Sequence, residues 1–237
     1  MRRALRAGPG ERILDLGSGP GILACEVARE VEPGGTVTAV DISPEMNAIA
    51  LRRAAEAGLD DRITVVRGDA GVLAFPDACF DAAVSIQVVE YVDDVDGVLR
   101  ELRRVLRPGG RLVLLDTDWD TLVWSGRDEG RTGRILDAWR EHAPHTRLPR
   151  TLGPRLRACG FEVDEMFVLT LLNTSYDDAT YSHNLAGLIA DFVGTTDAVP
   201  NTELDAWLAD LASLDEAGAY FFSLNRYGFH ATATPEE

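Results

Sequence analysis

Lysine is absent from this chain of 237 residues, and all 23 basic residues are arginine. That bias concerns ancestry rather than mechanism. Positive charge is also scarce in sum, because 39 acidic residues against 23 basic ones leave a formal net charge of −16. A polyanion would be repelled on average, so nucleic acid is not an expected partner. The densest basic stretch, Arg100 to Arg107, shares a helical pattern with Glu101 and reads as a solvated helix face. Cysteine is scarce as well. Cys25, Cys79 and Cys159 are odd in number, widely spaced and without a C-x-x-C pair. A disulfide scaffold and a zinc cage are therefore not expected, and each thiol reads as a small buried apolar group. No apolar run approaches the roughly 18 residues that span a bilayer. The basic opening Met1-Arg-Arg has no apolar stretch behind it, so a cytoplasmic protein without a membrane partner is expected. There are no repeats and no low-complexity tract.

What is present is a hydrophobic fraction of 46 %, ordinary for a globular protein, on a chain long enough for one large domain with insertions. The first half alternates strand and helix patterns. Strands are expected at 12–16, 36–40, 62–66, 80–86 and 111–115. Helices are expected at 20–31, at 44–57 behind the N-cap signal Ser43-Pro44-Glu45, and at 95–106, where Arg107-Pro108-Gly109-Gly110 ends the pattern. Such repeated strand–helix–strand units imply an α/β fold with a mostly parallel sheet covered on both faces. The second half is less regular. Helices are expected at 128–142 and 151–159, and strands at 161–170 and 220–231. Between those strands lie two more helix patterns, one carrying Tyr181, Leu185, Leu188, Ile189 and Phe192, the other opening on Thr202-Glu-Leu-Asp205, which looks like a capping box. The expectation is one domain over 1–237, with helical insertions at 118–147 and 171–219 that form an acceptor pocket or a lid.

The chemistry concentrates in Ile13-Leu-Asp-Leu-Gly-Ser-Gly-Pro-Gly21. Glycines at 17, 19 and 21, between a strand and a helix, allow unusual dihedrals and close ligand approach. The helix start offers free N–H groups and a positive dipole end, which suit a carboxylate or a phosphate equally. Asp15 narrows the choice: a carboxylate beside the turn opposes a pyrophosphate and favours a cationic ammonium, such as that of a methionine moiety. Asp41, ending the second strand, can accept both hydroxyls of a ribose, a role shared with dinucleotide folds. Asp69, in Arg67-Gly-Asp-Ala70, can accept from an adenine amine, and Ile42 and Met46 can flank the ring. Each acid taken alone could equally be a turn cap.

Residues 11–116 resemble a class I S-adenosylmethionine-dependent methyltransferase of the broad ubiquinone/menaquinone-biosynthesis group. The likeness is carried by Leu14-Asp-Leu-Gly-Ser-Gly-Pro-Gly21, Val40-Asp-Ile-Ser-Pro-Glu-Met46, Gly68-Asp-Ala70, Phe80-Asp-Ala-Ala-Val-Ser85 and Leu106-Arg-Pro-Gly-Gly-Arg-Leu112. The resemblance implies a Rossmann-like sheet of seven strands in the order 3-2-1-4-5-7-6, with the last strand antiparallel and a helical insertion between strands six and seven. It implies S-adenosylmethionine as cofactor and S-adenosylhomocysteine as product. It also implies that Asp15, Gly17, Ser18, Gly19 and Gly21 hold the methionine part, Asp41, Ile42 and Met46 the ribose and adenine region, and Gly68, Asp69 and Ala70 the base, with the Gln87 backbone facing the methionine end. The family usually carries lid helices before the first strand, where only about ten residues stand here; either the sequence is trimmed there or another segment closes the site, the helices between strands six and seven being the candidates.

Ligands of open α/β sheets bind beyond the carboxyl ends of the strands. Tyr91, after strand four, and Asp116-Thr-Asp-Trp-Asp120, after strand five, are thus expected near the transferable methyl. Asp118 and Trp119 read either as binding a cationic or aromatic acceptor or as a loop anchored by its tryptophans. Tyr176, His183 and Asn184 come from the insertion. His183 and Asp118 are the candidate general bases, although direct displacement at a sulfonium carbon relies chiefly on alignment and water exclusion; the other reading of His183 is an exposed helix residue. No cluster has metal spacing, so a metal-independent enzyme is expected. The expected activity is methyl transfer to an O, N or C atom of a small metabolite, by a monomer or homodimer. The alternatives are a cyclisation or rearrangement that keeps the nucleoside, an NAD-dependent oxidoreductase, and a non-catalytic binding protein.

Overall fold

A computed structural model of the chain describes residues 2–235. Five strands are set by β-branched and apolar runs: β1 (Arg12–Leu16), β2 (Thr36–Asp41), β3 (Ile63–Arg67), β4 (Phe80–Ile86) and β5 (Leu106–Thr117). Side chains of a strand alternate between its faces, and here both faces are dry. Ile13, Val37, Ala39, Ala82, Val84 and Val113 enter one core, while Leu14, Leu16, Val40, Ala83, Leu112 and Leu114 enter the other. A sheet buried on both sides needs helices on both sides. The short α1 (Arg2–Leu5) with α2 (Ile22–Glu30) and α3 (Pro44–Glu56) supplies residues to the first core, and α4 (Val95–Val105) supplies residues to the second.

Helix starts and stops follow local chemistry. Ser43 caps α3 by accepting from the Met46 amide, with Pro44 at the first helical position, and Gly58 follows its end at φ 65°. Asp94 caps α4 through the Gly97 amide. On α4, Val95, Val98, Leu99, Leu102 and Val105 form a fully buried stripe.

The later elements are β6 (Val123–Trp124), α5 (Glu129–Trp139), α6 (Pro149–Ala158), β7 (Phe161–Asn173), α7 (Tyr181–Gly194), α8 (Asn201–Glu216) and β8 (Phe222–Ala233). The eight strands form one sheet in the order β3-β2-β1-β4-β5-β8-β6, with β7 also pairing to β8. The pairs β1–β2, β2–β3, β1–β4 and β4–β5 are parallel. This matches the order expected from the resemblance, with β7 and β8 as strands six and seven. The addition is β6, two residues antiparallel to the start of β8.

The chain divides into two compact units. The first comprises the residues up to Asp116, Leu148–Phe167 and those from Tyr227 on, and contains both cores named above. The second comprises Thr117–Arg147 and Val168–Arg226. Its own core is aromatic: Trp124 meets Trp207 and Phe222 edge-on, and Trp119 meets Trp139, among Leu185, Ile189, Leu204 and Leu211. Tyr181 packs against this core and lies under the Arg226 guanidinium at 4.8 Å. No described helix is long and apolar enough to cross a membrane, and no group of three potential metal ligands occurs among the described residues.

Three expectations are corrected. Pro108-Gly109-Gly110 does not lie outside the sheet: β5 starts at Leu106, and the ladder jumps from Phe80↔Leu106 to Ala82↔Arg111, with Gly109 at φ 75°. Glycine freedom lets a bulge replace the turn. The capping box at Thr202 does not form, because α8 begins one residue earlier, behind Pro200, with no side-chain cap. The arginines of α4 and its flank are not simply a solvated face. Arg104 donates to Glu101, to Asp77 and to the carbonyls of Phe75 and Leu73, Arg107 pairs with Asp81, and Arg103 reaches the Thr234 carbonyl. Arg104 thereby ties the connection between β3 and β4 to α4. Losing these charge-assisted bonds should cost about 2 kcal/mol, so an Arg104→Ala variant should show a lower urea midpoint with an unchanged slope. An unchanged midpoint would mean that the connection is held by other contacts.

Candidate functional site

Parallel strands leave their carboxyl ends in one row, and a cleft of about 400 Å³ opens there in the first unit. It is lined by Leu16, Gly17 and Gly19 after β1, Val40, Asp41 and Ile42 at the end of β2, Gly68, Asp69 and Ala70 after β3, and Gln87, Val88, Tyr91 and Val92 after β4. Its walls are apolar and its charges are two carboxylates.

The turn after β1 is shaped by its neighbour strand. The amides of Gly17 and Ser18 both donate to the Val40 carbonyl, at 2.7 and 3.0 Å. The Asp41 carboxylate accepts from the Gly19 amide at 2.8 Å and from the Ser43 amide at 2.9 Å. Gly17 stands at φ 68°, and a Cβ there would fall 2.0 Å from a methyl of Val88. Only glycine meets both conditions. Asp41 thus holds the glycine turn, yet a carboxylate has about four lone-pair sites, so acceptor capacity remains for a pair of hydroxyls. Asp69 is exposed and accepts the Gly71 amide through one oxygen, leaving the other available.

Asp15 lies under the turn at 3 % exposure and has one oxygen without a hydrogen-bond partner. Burial pushes its carboxyl up to about 7, against the Ala24 amide, which lowers it, while the nearby Asp41 charge raises it further. Ser18, also buried, has a hydroxyl without a partner. Unpaired buried polar atoms cost free energy unless something completes them. A cation that pairs with Asp15 would do so.

The residues named from the sequence divide as follows. Gly17, Gly19, Asp41, Ile42, Gly68, Asp69, Ala70, Gln87 and Tyr91 share the cleft lining, and Asp15 and Ser18 are buried within the turn beside it. Gly21 does not line the cleft. It caps α2 at φ 73° with its α-carbon face against Ala50. Met46 lies in the first turn of α3 and is likewise off the lining. Asp118, Trp119, Tyr176, His183 and Asn184 belong to the second unit. There Asp118 is buried and accepts the Asp120 amide at the start of a 3-10 turn, Trp119 is 5 % exposed in the aromatic core, and Tyr176 stacks at a tilt on His183 at 4.7 Å. Asn184 is exposed and donates to the carbonyls of Asp178 and Thr180.

Sequence reading missed Leu16, Val40, Val88 and Val92 as cleft walls. It also passed over Glu90, fully buried like Asp116, to which the Glu90 amide donates. The signal for the valines was faint, since apolar residues at strand ends read first as core. Gln87 carries a clearer one: it is a non-glycine residue at φ 53°, a backbone rarely kept without a constraint.

A model of the methyltransferase domain matches residues 14–114. Over 205 residues the chain is 40 % identical to a demethylmenaquinone methyltransferase of Symbiobacterium thermophilum, covering 79 % of this chain and 76 % of that protein. The chain belongs to the class I S-adenosylmethionine-dependent methyltransferase family. A protein encoded in transposon TN4556 of Streptomyces fradiae is 33 % identical over 245 residues, covering 99 % of this chain and 66 % of its own length. Other curated methyltransferase relatives are spanned over only 41 % to 51 % of their length. Among solved structures the 4+2 cyclase SpnF aligns with a TM-score of 0.61 at 25 % identity, covering 97 % of this chain and 77 % of that one. The chemistry of these residues is compatible with the family's nucleoside: Asp15 offers an unpaired buried oxygen to a cation, and Asp41 and Asp69 offer lone pairs to hydroxyl or amine donors.

Asp15 also generates a stability prediction. Its folded pKa is raised above the unfolded 3.8. The folded state therefore gains nothing from its ionisation, and stability from this group is lost as pH rises from about 4 to about 7. Without ligand, Asp15→Asn should melt above the parent by a margin that grows between pH 5 and pH 8. A margin that shrinks over that range would refute the raised carboxyl.

Proposed function

We propose that the protein transfers a methyl group from S-adenosylmethionine to an O, N or C atom of a small-molecule acceptor, releasing S-adenosylhomocysteine. The observation that carries this reading is the common cleft of Asp41, Asp69 and the Gly17–Gly19 turn beside the buried, half-satisfied Asp15. When bound, the sulfonium nucleoside supplies an electrophilic methyl group. Asp15 and Ser18 would hold the amino-acid end, Asp41 the ribose hydroxyls, and Asp69 with Ile42 and Ala70 the base. Because Asp15 binds a cation only when ionised, affinity for the nucleoside should rise about tenfold from pH 6 to pH 8 in a group titrating near 7.

For the acceptor, Tyr91 is the candidate that lines the cleft. Trp119, Tyr176 and Asn184 are proposed for acceptor binding from their residue types, and His183 or Asp118 for proton removal where the acceptor is an oxygen. Asp118 has the harder task of the two, because its carboxylate already caps a turn. The identity to a demethylmenaquinone methyltransferase favours an aromatic or quinone-like ring. A second reading, rearrangement or ring closure with the nucleoside retained, is favoured by the likeness to SpnF over nearly the whole chain.

One comparison tests both the cofactor site and the base. Replacing Asp41 by Ala removes charge-assisted hydrogen bonds worth roughly 1.5–3 kcal/mol. Calorimetry with S-adenosylhomocysteine should show at least a tenfold weaker affinity for that variant, whereas His183→Ala should stay within about twofold. Equal affinity of Asp41→Ala and the parent would refute the ribose assignment. Incubation with S-adenosylmethionine and a panel of phenols, quinols and amines separates the two chemistries. Methyl transfer releases one S-adenosylhomocysteine per acceptor consumed; ring closure consumes the acceptor and releases none.

A further inference from the structure

Four arginines of the second unit are neutralised by acids: Arg131 by Asp210, Arg134 by Glu203, and Arg140 and Arg147 by Asp120. Arg226 departs from that pattern. It belongs to β8, and side chains of a strand alternate between its faces. Leu224 and Phe222, two and four residues before it, are fully buried in the aromatic core. Arg226 continues that inward face: the Tyr181 ring meets both the Phe222 ring, at 6.0 Å, and the Arg226 guanidinium, at 4.8 Å.

The charge so placed is unmet. Among the described residues Arg226 makes no ion pair and no side-chain hydrogen bond. Its Nε is fully buried without a partner, while the side chain as a whole is partly exposed and its two terminal nitrogens are not enclosed. Taking a guanidinium out of water without an acceptor is costly. Tyr181 offsets part of that cost, because an aromatic face attracts a cation. It supplies no acceptor in the plane of the guanidinium, however. The ring steadies the fork and leaves its donors unpaired.

The number of charges narrows the ligand. The chain has no lysine, and the four arginines named above are already ion-paired. A single guanidinium suits a monoanion, and its planar fork matches the two oxygens of a carboxylate. A phosphate dianion would ask for a second cation.

We propose that Arg226 receives the carboxylate of a small organic acid on its terminal nitrogens, with Tyr181 holding the guanidinium in place. This deepens the proposed function by giving the acceptor a carboxylate, and to that extent it rests on the methyl-transfer reading; the pairing itself does not.

Two probes of the same shape test it, 2-naphthoate and the neutral 2-naphthamide, each titrated into the full chain by ligand-observed NMR with and without S-adenosylhomocysteine. The parent should bind the acid about tenfold more tightly than the amide. Arg226→Gln should bring the acid down to the level of the amide and leave the amide within about twofold. Arg226→Lys keeps the charge and loses the fork, so its preference for the acid should fall between the two. Circular dichroism checks folding, and Arg226→Lys carries the comparison should Arg226→Gln fail to fold. 2-Naphthyl phosphate should bind more weakly than the acid; tighter binding would refute the choice of a carboxylate. Equal affinity of the parent for acid and amide, or a preference for the acid that survives in Arg226→Gln, would overturn the proposal. A carboxylic acid that binds through Arg226 while no acceptor of that class releases S-adenosylhomocysteine would support the pairing and count against the methyl-transfer reading alone.

Discussion

The Asp41 carboxylate is the point on which the first unit's site depends. Parallel pairing brings Leu16 level with Val40 and leaves Asp41 one step beyond the end of β1. From there its two oxygens reach the Gly19 amide on one side and the Ser43 amide on the other. A single side chain therefore fixes the glycine turn after β1 and the entry to α3, two segments 22 residues apart in sequence for the first contact. The Val40 carbonyl reinforces this by taking two amides of the same turn. Charge-assisted bonds of this kind are about twice as strong as neutral ones. They also hold the turn open without a ligand, so binding has little backbone ordering left to do.

Asp15 works in the opposite sense. Its burial raises the carboxyl to about 7 and leaves one oxygen unpaired. Such a group weakens the unliganded fold and is relieved by a cation. Asp41 adds to this strain by raising Asp15 a little further. The two acids thus divide the work, one organising the turn and the other keeping an unmet demand for positive charge beside it. Under the proposed function, the ammonium of the nucleoside would complete that costly group.

The first unit was legible because its signals are local. Apolar strand runs, Ser43 with Pro44, and the glycines at 17 and 19 each act within a few residues. The resemblance added the strand order, which no periodicity contains. What the sequence does not display depends on distant partners. Arg104 reads as solvated because its acceptors, the carbonyls of Leu73 and Phe75, are 31 and 29 residues away. The Pro108-Gly109-Gly110 bulge resembles a helix stop because those residues serve either purpose. Thr202 reads as a cap on spacing alone, while α8 starts at Asn201.

The second unit shows why acceptor residues are harder to read than cofactor residues. A nucleoside imposes the same demands wherever it binds, so acids and glycines recur at fixed strand ends. An acceptor imposes no such grammar, and aromatic residues serve a core and a pocket equally well. Trp119 illustrates the ambiguity. Its ring closes the core against Trp139 and His142, yet its indole N–H is buried without a partner, as are those of Trp139 and Trp207. A core built only for stability would satisfy such donors or use phenylalanine. Three such indole donors stand in one cluster, so the core of this unit carries polar groups that purely apolar packing would not need, and residue type alone does not separate packing from binding there.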